Sequence, residues 1–170
     1  GYVCGDGSAV FYGCHHRRSK VRLDIKIDDQ ACLDRIIEAF AKLGYSPSVF
    51  EAKGKYGTWF TVLAYKKKVV HTVLSLGPVG SHKWRMPDLQ KRRWIREWVR
   101  AFFDSDATVT YVNREITLES VNQAGLRHLR TVLVKNFGIY SHLKFRRHRG
   151  THLLRICGRE NLECFYNRIG

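Results

Sequence analysis

One pattern of glycine landmarks occurs twice in this sequence, and it constrains the fold more than any other feature. In the first half, a helix end, a hairpin turn and a second helix end are marked by Gly44, Gly57 and Gly77. Their counterparts, which lie 94, 93 and 93 residues further along (44 to 138, 57 to 150, 77 to 170), are Gly138, Gly150 and Gly170. The near-constant register predicts two copies of one structural unit.

Each half is predicted to run helix, hairpin, helix, hairpin, helix. Alternating and β-branched runs predict four strands in the first half, Ala9–Tyr12, Lys20–Ile27, Val49–Lys53 and Thr58–Tyr65. The corresponding four in the second half are Thr108–Val112, Glu115–Glu119, Tyr140–Arg147 and Thr151–Cys157. A long helix from about Asp88 to Asp106 is predicted to open the second half.

The helix between the two hairpins of each half has a cap residue and an apolar face. Asp28 or Asp29 caps the first of these helices, and Asn122 caps the second. The apolar face of the first is predicted to be Ile36, Ile37, Phe40 and Leu43, and that of the second Leu126, Leu129, Val132 and Leu133.

Bulk composition indicates a globular protein that binds a polyanion. The net charge is +15, from thirty Lys and Arg against fifteen Asp and Glu, and the hydrophobic content is 44%. So large an excess of cations favours a nucleic-acid partner. The alternatives are a merely soluble basic protein and one that adheres to anionic membranes. Five cysteines without CxxC spacing indicate neither a disulfide framework nor a zinc site. With no signal peptide and no apolar run long enough for a membrane span, we expect an intracellular, soluble protein.

Two short segments place small residues and an aspartate at matching positions of the two halves. They are Gly1-Tyr-Val-Cys-Gly-Asp6-Gly and Val99-Arg-Ala-Phe-Phe-Asp-Ser-Asp106-Ala, with the final aspartates 100 residues apart (6 to 106). Small residues at helical spacing, here Gly1 with Gly5 and Ala101 with Ser105, let two helices pack closely. A carboxylate at the end of each helix faces the negative helix terminus and its twin, and a divalent cation would relieve both penalties. Taken singly, Asp-Gly is most often a turn, and the second segment could simply end an amphipathic helix.

The paired segments resemble the LAGLIDADG motif, complete in the second half and represented in the first by its latter part. The chain is therefore identified as a member of the monomeric, two-motif LAGLIDADG homing endonucleases. The resemblance implies an α+β fold: two pseudo-symmetric αββαββα lobes around a central pair of motif helices, with antiparallel sheets forming a DNA-binding saddle. The expected lobes are residues 1–79 and 88–170, joined by a linker of residues 80–87. Two departures stand out: Ala107 replaces the usual motif glycine, and the first motif helix looks truncated because it begins at Gly1.

The resemblance also implies a Mg²⁺-dependent endonuclease that makes a double-strand break in a long, asymmetric DNA target. Asp6 and Asp106 are then the catalytic metal ligands, with the main-chain oxygens of Gly5 and Ser105 as further candidates. Mn²⁺ is expected to substitute for Mg²⁺, and Ca²⁺ to bind without supporting cleavage. Lys83 is the candidate for the catalytic basic residue that helps to organise the attacking water; the alternative is a solvated linker lysine. Asp28 and Asn122 are candidates for positioning water, although the capping interpretation is favoured for both.

The predicted DNA-binding surface follows from strict alternation in one strand. Lys20, Arg22, Asp24 and Lys26 face one way, and the intervening aliphatic residues face the other. Polar ridges of this kind suit the major groove. The full predicted set of DNA contacts is Arg17, Arg18, Lys20, Arg22, Asp24, Lys26, Lys53, Lys55, Lys144, Arg146, Arg147, Arg149 and Arg155.

Two other functions fit the same fold. One is a maturase that binds intron RNA, which the retained acidic pair disfavours. The other is a catalytically inactive DNA-binding regulator, which usually carries an additional helix-turn-helix module. The four tryptophans (Trp59, Trp84, Trp94 and Trp98) are predicted to be core or helix-packing residues rather than base-stacking ones.

Overall fold

The chain folds into two compact units, Tyr2–Gly80 and Ser81–Gly170, in a computed structural model. The structure describes residues 2–5, 7–14, 17–55 and 57–170, with only the backbone described for 10–14 and 17–20. Each unit contains one antiparallel four-stranded sheet with helices. The predicted α+β fold is therefore confirmed.

Both units have the same order of elements. The first consists of α1 (Tyr2–Gly5), β1 (Gly7–Cys14), β2 (Arg17–Ile27), α2 (Gln30–Lys42), β3 (Ser48–Gly54), β4 (Gly57–Ala64) and α3 (Lys67–Ser75). The second consists of α4 (Arg92–Asp106), β5 (Ala107–Thr110), β6 (Glu115–Ser120), α5 (Gln123–Phe137), β7 (His142–Arg146), β8 (Thr151–Cys157) and α6 (Arg159–Arg168). The sheet orders, β1-β2-β4-β3 and β5-β6-β8-β7, are equivalent. The repeat predicted from the glycine spacing is thus a repeat of structure.

The core of the first unit forms between the inner face of its sheet and α2. Val21, Leu23, Ile25 and Ile27 of β2 are all buried, as the alternation predicts. The buried face of α2 is formed by Leu33, Ile36 and Phe40. The prediction was wrong for Ile37 and Leu43, which are 37% and 52% exposed. Ile37 lies about 100° around the helix from Ile36, and Leu43 is the C-cap, so neither faces the sheet.

The ends of α2 and α5 are set by the predicted caps. Asp29, rather than Asp28, is the N-cap of α2, and its carboxylate accepts from the Cys32 amide at 2.8 Å. Asn122 caps α5 by accepting from the Gly125 amide at 2.9 Å. Gly44 and Gly138 follow these helices with φ of +66° and +67°, a left-handed conformation that glycine adopts without strain.

An aromatic cluster organises the core of the second unit. The Trp84 ring lies 4.5 Å from that of Phe102, centroid to centroid, and Phe102 stacks on Trp98 at 5.0 Å. Trp84 is 2% exposed, and its indole Nε1 donates to Ser120 Oγ at 3.2 Å. The core prediction is confirmed for Trp84 and Trp98. The prediction was wrong for Trp59 and Trp94, which are 38% and 44% exposed. The Trp59 ring lies over Gly54 of the neighbouring strand, and Trp94 lies beside the cations of Lys91 and Arg93.

Several predicted boundaries differ from the structure, and two of them adjoin the second motif. Helix α4 begins at Arg92 rather than at Asp88, because Lys91 has an extended backbone (φ −99°, ψ 127°) and no side chain caps the helix before it. Strand β5 ends at Thr110, so Tyr111 and Val112 belong to an exposed turn in which Arg114 has a positive φ of 49°. Among the residues that the structure describes, no helix is both long and apolar enough to cross a membrane.

Candidate functional site

Asp106 is the last residue of α4, the helix that carries the second motif. The side of α4 that carries Asp106 by helical spacing is anchored in the core by Ile95, Val99, Phe102 and Phe103, with Trp98 beside them. The Asp106 side chain is half-buried, and this burial raises the pKa of its carboxyl to about 6. Within the described part of the chain, no hydrogen bond or salt bridge satisfies this carboxylate.

This position is electrostatically unfavourable for an anion unless a cation joins it. The last turn of α4 exposes main-chain carbonyls and contains no basic residue. Its partner in the sequence prediction, Asp6, lies outside the described residues, as does Gly1. The described residues contain no group of three His, Cys, Asp or Glu side chains that could hold a metal ion.

The residues flanking Asp106 are held in regular geometry. Ala107 has φ −91° and ψ 150°, an extended conformation that needs no glycine. The turn out of the helix therefore avoids the left-handed conformation, as the alanine requires. Ser105 Oγ donates to the Phe102 carbonyl at 3.0 Å, so this hydroxyl is used within its own helix. Helix contacts through Gly1, Gly5, Ala101 and Ser105 stay a prediction.

The candidates for positioning water lie at the caps of α2 and α5. Asp28 is exposed beside the true cap, Asp29. Asn122 is buried; its Nδ2 donates to the Trp84 carbonyl at 2.7 Å while its Oδ1 caps α5. Both polar ends of the Asn122 amide are thus in use, which supports the capping interpretation. Lys83 is exposed, immediately before the buried Trp84.

The sheet of the second unit has one face that is packed on helices and one that is polar. Cross-strand pairing places Thr117 beside Arg155, and Arg155 beside His142. On the same face, Arg146 pairs with Thr151. Among the predicted DNA contacts, Lys144, Arg146 and Arg155 therefore share this face, and Arg147 and Arg149 lie in the β7–β8 turn.

Acidic side chains hold several of these arginines in place. The Glu119 carboxylate accepts from Arg146 Nη1 at 3.0 Å, from Arg149 Nη1 at 3.3 Å and from the Thr151 hydroxyl. The Thr151 hydrogen bond, followed by the charges of Arg146 and Arg149, keeps the pKa of Glu119 below its usual range. Glu115 lies 3.6 Å from Arg155 Nη1. The sequence analysis missed both glutamates, although their alternation with Ile116 and Leu118 in β6 placed them on this face.

The first unit has a similar arrangement on β2. Arg22 forms a two-pronged contact with Asp24, with Nε–Oδ1 at 2.5 Å and Nη2–Oδ2 at 2.7 Å, and Lys26 is exposed beside it. Lys53 pairs with Thr58 and so lies on the opposite side of the sheet, 3.7 Å from Glu51. Lys55 is exposed in the adjoining turn. The side chains of Arg17, Arg18 and Lys20 lie outside the described residues.

Comparisons with known proteins identify this architecture. Residues 93–170 match the family model described as a LAGLIDADG-like domain. A search of curated proteins finds no match. Mesophilic variants of the homing endonuclease I-DmoI superpose with a TM-score of 0.73 at 15% identity, over 99% of this chain and 90% of that one.

Two further solved structures show how widely the fold is used. I-DmoI in complex with DNA and Mn gives a TM-score of 0.72 at 16% identity, over 99% of this chain and 91% of that one. Full-length DUF199/WhiA from Thermatoga maritima gives 0.67 at 14% identity, over 99% of this chain and 52% of that one. The second half of this chain is therefore a LAGLIDADG-like domain, and the whole chain has the two-lobed LAGLIDADG fold.

Proposed function

We propose that this protein is a divalent-metal-dependent endonuclease of the homing type, which cuts both strands of a long, non-palindromic DNA site. The observation that carries the proposal is Asp106, a half-buried carboxylate at the C-terminal end of the motif helix with a raised pKa and no cationic partner among the described residues. A structural aspartate would be stabilised by a hydrogen bond or a cation, and the described residues supply Asp106 with neither. A carboxylate in this position has the properties expected of a metal ligand.

The chemistry of Asp106 fits a hard divalent cation. Mg²⁺ is usually held by one or two carboxylates together with substrate phosphates and water. Here Asp106, Asp6 and the main-chain oxygens of Gly5 and Ser105 are the proposed protein ligands. A bound ion supplies Lewis-acid activation for phosphodiester hydrolysis. Mn²⁺ would substitute for Mg²⁺, and Ca²⁺ would bind without cleavage. The exposed Lys83 is the proposed basic residue that helps to organise the attacking water.

The proposed DNA surface consists of the open faces of the two sheets. Arg22 and Lys26 line it in the first unit, and Lys144, Arg146 and Arg155 line it in the second. Their charges are part of the net +15 that would draw the chain to a polyanion. Because the two units carry different side chains on these faces, a monomer would read an asymmetric target. The solved I-DmoI structures include complexes with DNA, and we extend that property to this chain as part of the proposal. We place the protein inside the cell.

A regulator that binds DNA without cutting it is the second candidate. The N-terminal LAGLIDADG domain of DUF199/WhiA has the same fold, with a TM-score of 0.68 at 14% identity over 99% of this chain and 77% of that one. The fold alone therefore does not distinguish cutting from binding. A third candidate partner is intron RNA, as for a maturase.

Cleavage of a randomised duplex library in Mg²⁺, Ca²⁺ or EDTA tests the proposal. We expect cuts at one long site in Mg²⁺ only, lost in Asp106→Asn. The matched control is Asp104→Asn, an identical change two residues earlier on the exposed side of α4. Specific binding by the unaltered protein without cutting in either metal would favour the regulator. Loss of cutting in both variants would remove Asp106 from its proposed role.

A further inference from the structure

A basic groove lies on the helix side of the second unit, away from the proposed DNA surface. Its volume is about 780 Å³, and we call it the α5 groove. It runs between α5 and the β7–β8 hairpin and is lined by Gln123, Arg127, Arg130, Thr131, Val134, Lys135, Leu143, Phe145 and His152. Phe145 and His152 are paired in the sheet and alternate with Arg146 and Thr151, so they lie on the opposite face from those residues.

The outer face of α5 has an excess of positive charge that the fold does not require. Helix α5 contains Arg127, Arg130 and Lys135 and no acidic residue. The equivalent helix of the first unit, α2, contains two acidic and two basic residues, and its Lys42 lies 2.7 Å from Glu38. Because the two units have the same topology, this difference shows that the fold does not require the positive charge of α5. In the described part of the chain, Arg127, Arg130 and Lys135 have no salt bridge.

An aromatic surface lies next to these cations. The rings of Phe145 and His152 are 4.8 Å apart, centroid to centroid, and tilted by 38°. Phe145 is 50% exposed, although it is on the helix side of the sheet. Exposed aromatic rings beside cations form the arrangement on which unpaired bases stack while their phosphates are neutralised. A duplex keeps its base faces covered, so this surface favours a single strand.

We propose that the α5 groove binds an unpaired nucleic-acid strand, with its phosphates on Arg127, Arg130 and Lys135 and a base on Phe145. No carboxylate lines the groove among the described residues, so the strand would meet uncompensated positive charge along its path. The site lies on the other side of the second sheet from Arg146 and Arg155. It would therefore act in addition to any DNA bound on the open face, and it does not rest on cleavage.

Fluorescence anisotropy with the full chain and labelled single strands of about 15 nucleotides, as RNA and as DNA, tests the inference. We expect the double variant Arg127→Ala, Arg130→Ala to bind the single strand at least about tenfold more weakly. The slope of the logarithm of the binding constant against the logarithm of the salt concentration should become shallower by about 1.4, or about 0.7 for each lost phosphate contact. The matched control removes two cations from the equivalent helix, Arg35→Ala with Lys42→Ala, and should change binding less than about twofold. Equal losses in both double variants, or none in either, would overturn the proposal.

The stacking step has its own control. Phe145→Leu keeps an apolar side chain but removes the ring, and we expect binding to weaken at least about fivefold. Tyr166→Leu removes an exposed ring of the second unit that does not line the α5 groove and should have no such effect. Strands carrying 4-thiouracil should photocrosslink to peptides from α5 and the β7–β8 hairpin, and crosslinks confined to β2 or β6 would contradict the site. Duplex cleavage by the Arg127/Arg130 variant should be unchanged, so failure of the endonuclease proposal would be recognised separately.

Discussion

The side-chain amide of Asn122 donates a hydrogen bond to the main-chain carbonyl of Trp84 at 2.7 Å, across 38 positions of sequence. The oxygen of the same amide caps α5 at Gly125. One buried side chain thereby fixes both the start of a core helix and the segment that leads from the first unit into the second. The Trp84 ring then packs over Gly125, and its indole nitrogen reaches Ser120.

Asn122→Ala should destabilise the second unit by about 2–4 kcal/mol. The loss combines a helix cap, worth about 1 kcal/mol, with a buried carbonyl left without its donor, which costs about 1–3 kcal/mol. Urea unfolding monitored by tryptophan fluorescence measures it. Asp29→Ala removes an exposed cap from the equivalent helix and should destabilise the protein less, because no buried carbonyl loses its donor. Equal losses would show that the bond to Trp84 contributes little.

Gly125→Ala should also destabilise the protein, against the usual preference of helices for alanine. A β-carbon at this position would lie 2.8 Å from Trp84 Cη2 and 2.7 Å from Asn122 Nδ2. Overpacking of this kind costs about 1–3 kcal/mol, more than the gain of about 1 kcal/mol that alanine brings to a helix. The melting temperatures of this variant and of Ala124→Gly, at the neighbouring exposed position, give the comparison. An increase in the melting temperature of Gly125→Ala would contradict the packing argument.

Local patterns predicted these features only in part. The sequence correctly predicted features that depend on a few adjacent residues. These are the caps at Asn122 and Asp29, the glycines that end α2 and α5, and the alternation of β2. The bond from Asn122 to Trp84 joins segments 38 positions apart, and the bonds that Glu119 makes to Arg146 and Thr151 depend on strand register. No local pattern determines such contacts. The prediction of a strand at Tyr111 and Val112 was wrong because aromatic and β-branched residues favour a strand even where the chain turns.

Asp106→Asn should stabilise the protein at neutral pH when EDTA removes divalent ions. Burial raises the pKa of Asp106 from 3.8 to about 6 in the folded state. The folded state therefore binds the proton more tightly, and stability falls as the pH rises from about 4 to about 6. Asparagine does not ionise, so the variant does not lose stability in this way. At about pH 7 its free energy of unfolding should be higher by about 1–2 kcal/mol, a figure that allows for the partial exposure of the side chain.

Urea unfolding of the Asp106 variant at about pH 4 and about pH 7 measures this difference. Asp104→Asn, on the exposed side of the same helix, is the control. A gain of equal size in that variant would assign the effect to general charge rather than to burial. Added Mg²⁺ should raise the melting temperature of the unaltered protein and leave Asp106→Asn unchanged, because a ligand stabilises only the state that binds it.

Glu119→Gln should lower the discrimination between DNA sequences without lowering affinity for DNA in general. The carboxylate orients Arg146 and Arg149 on the open face of the second sheet, and an amide cannot accept from both arginines and Thr151 with the same charge assistance. The freed arginines still contact phosphates, and the variant carries one more net positive charge, so binding to arbitrary duplex should be equal or tighter. Base-specific contacts lose their preset geometry, and the preference for the selected site should fall by about tenfold or more.

Competition binding of the selected and a scrambled duplex gives this ratio directly. Glu51→Gln provides the matched control, because Glu51 pairs with Lys53 on the other side of the first sheet and its removal changes the net charge equally. If both variants lose discrimination to the same extent, the extra charge explains the result and Glu119 has no orienting role. If only Glu119→Gln does, then an anionic residue on a DNA-binding face contributes to recognition by holding cations in one orientation, at the expense of some electrostatic attraction.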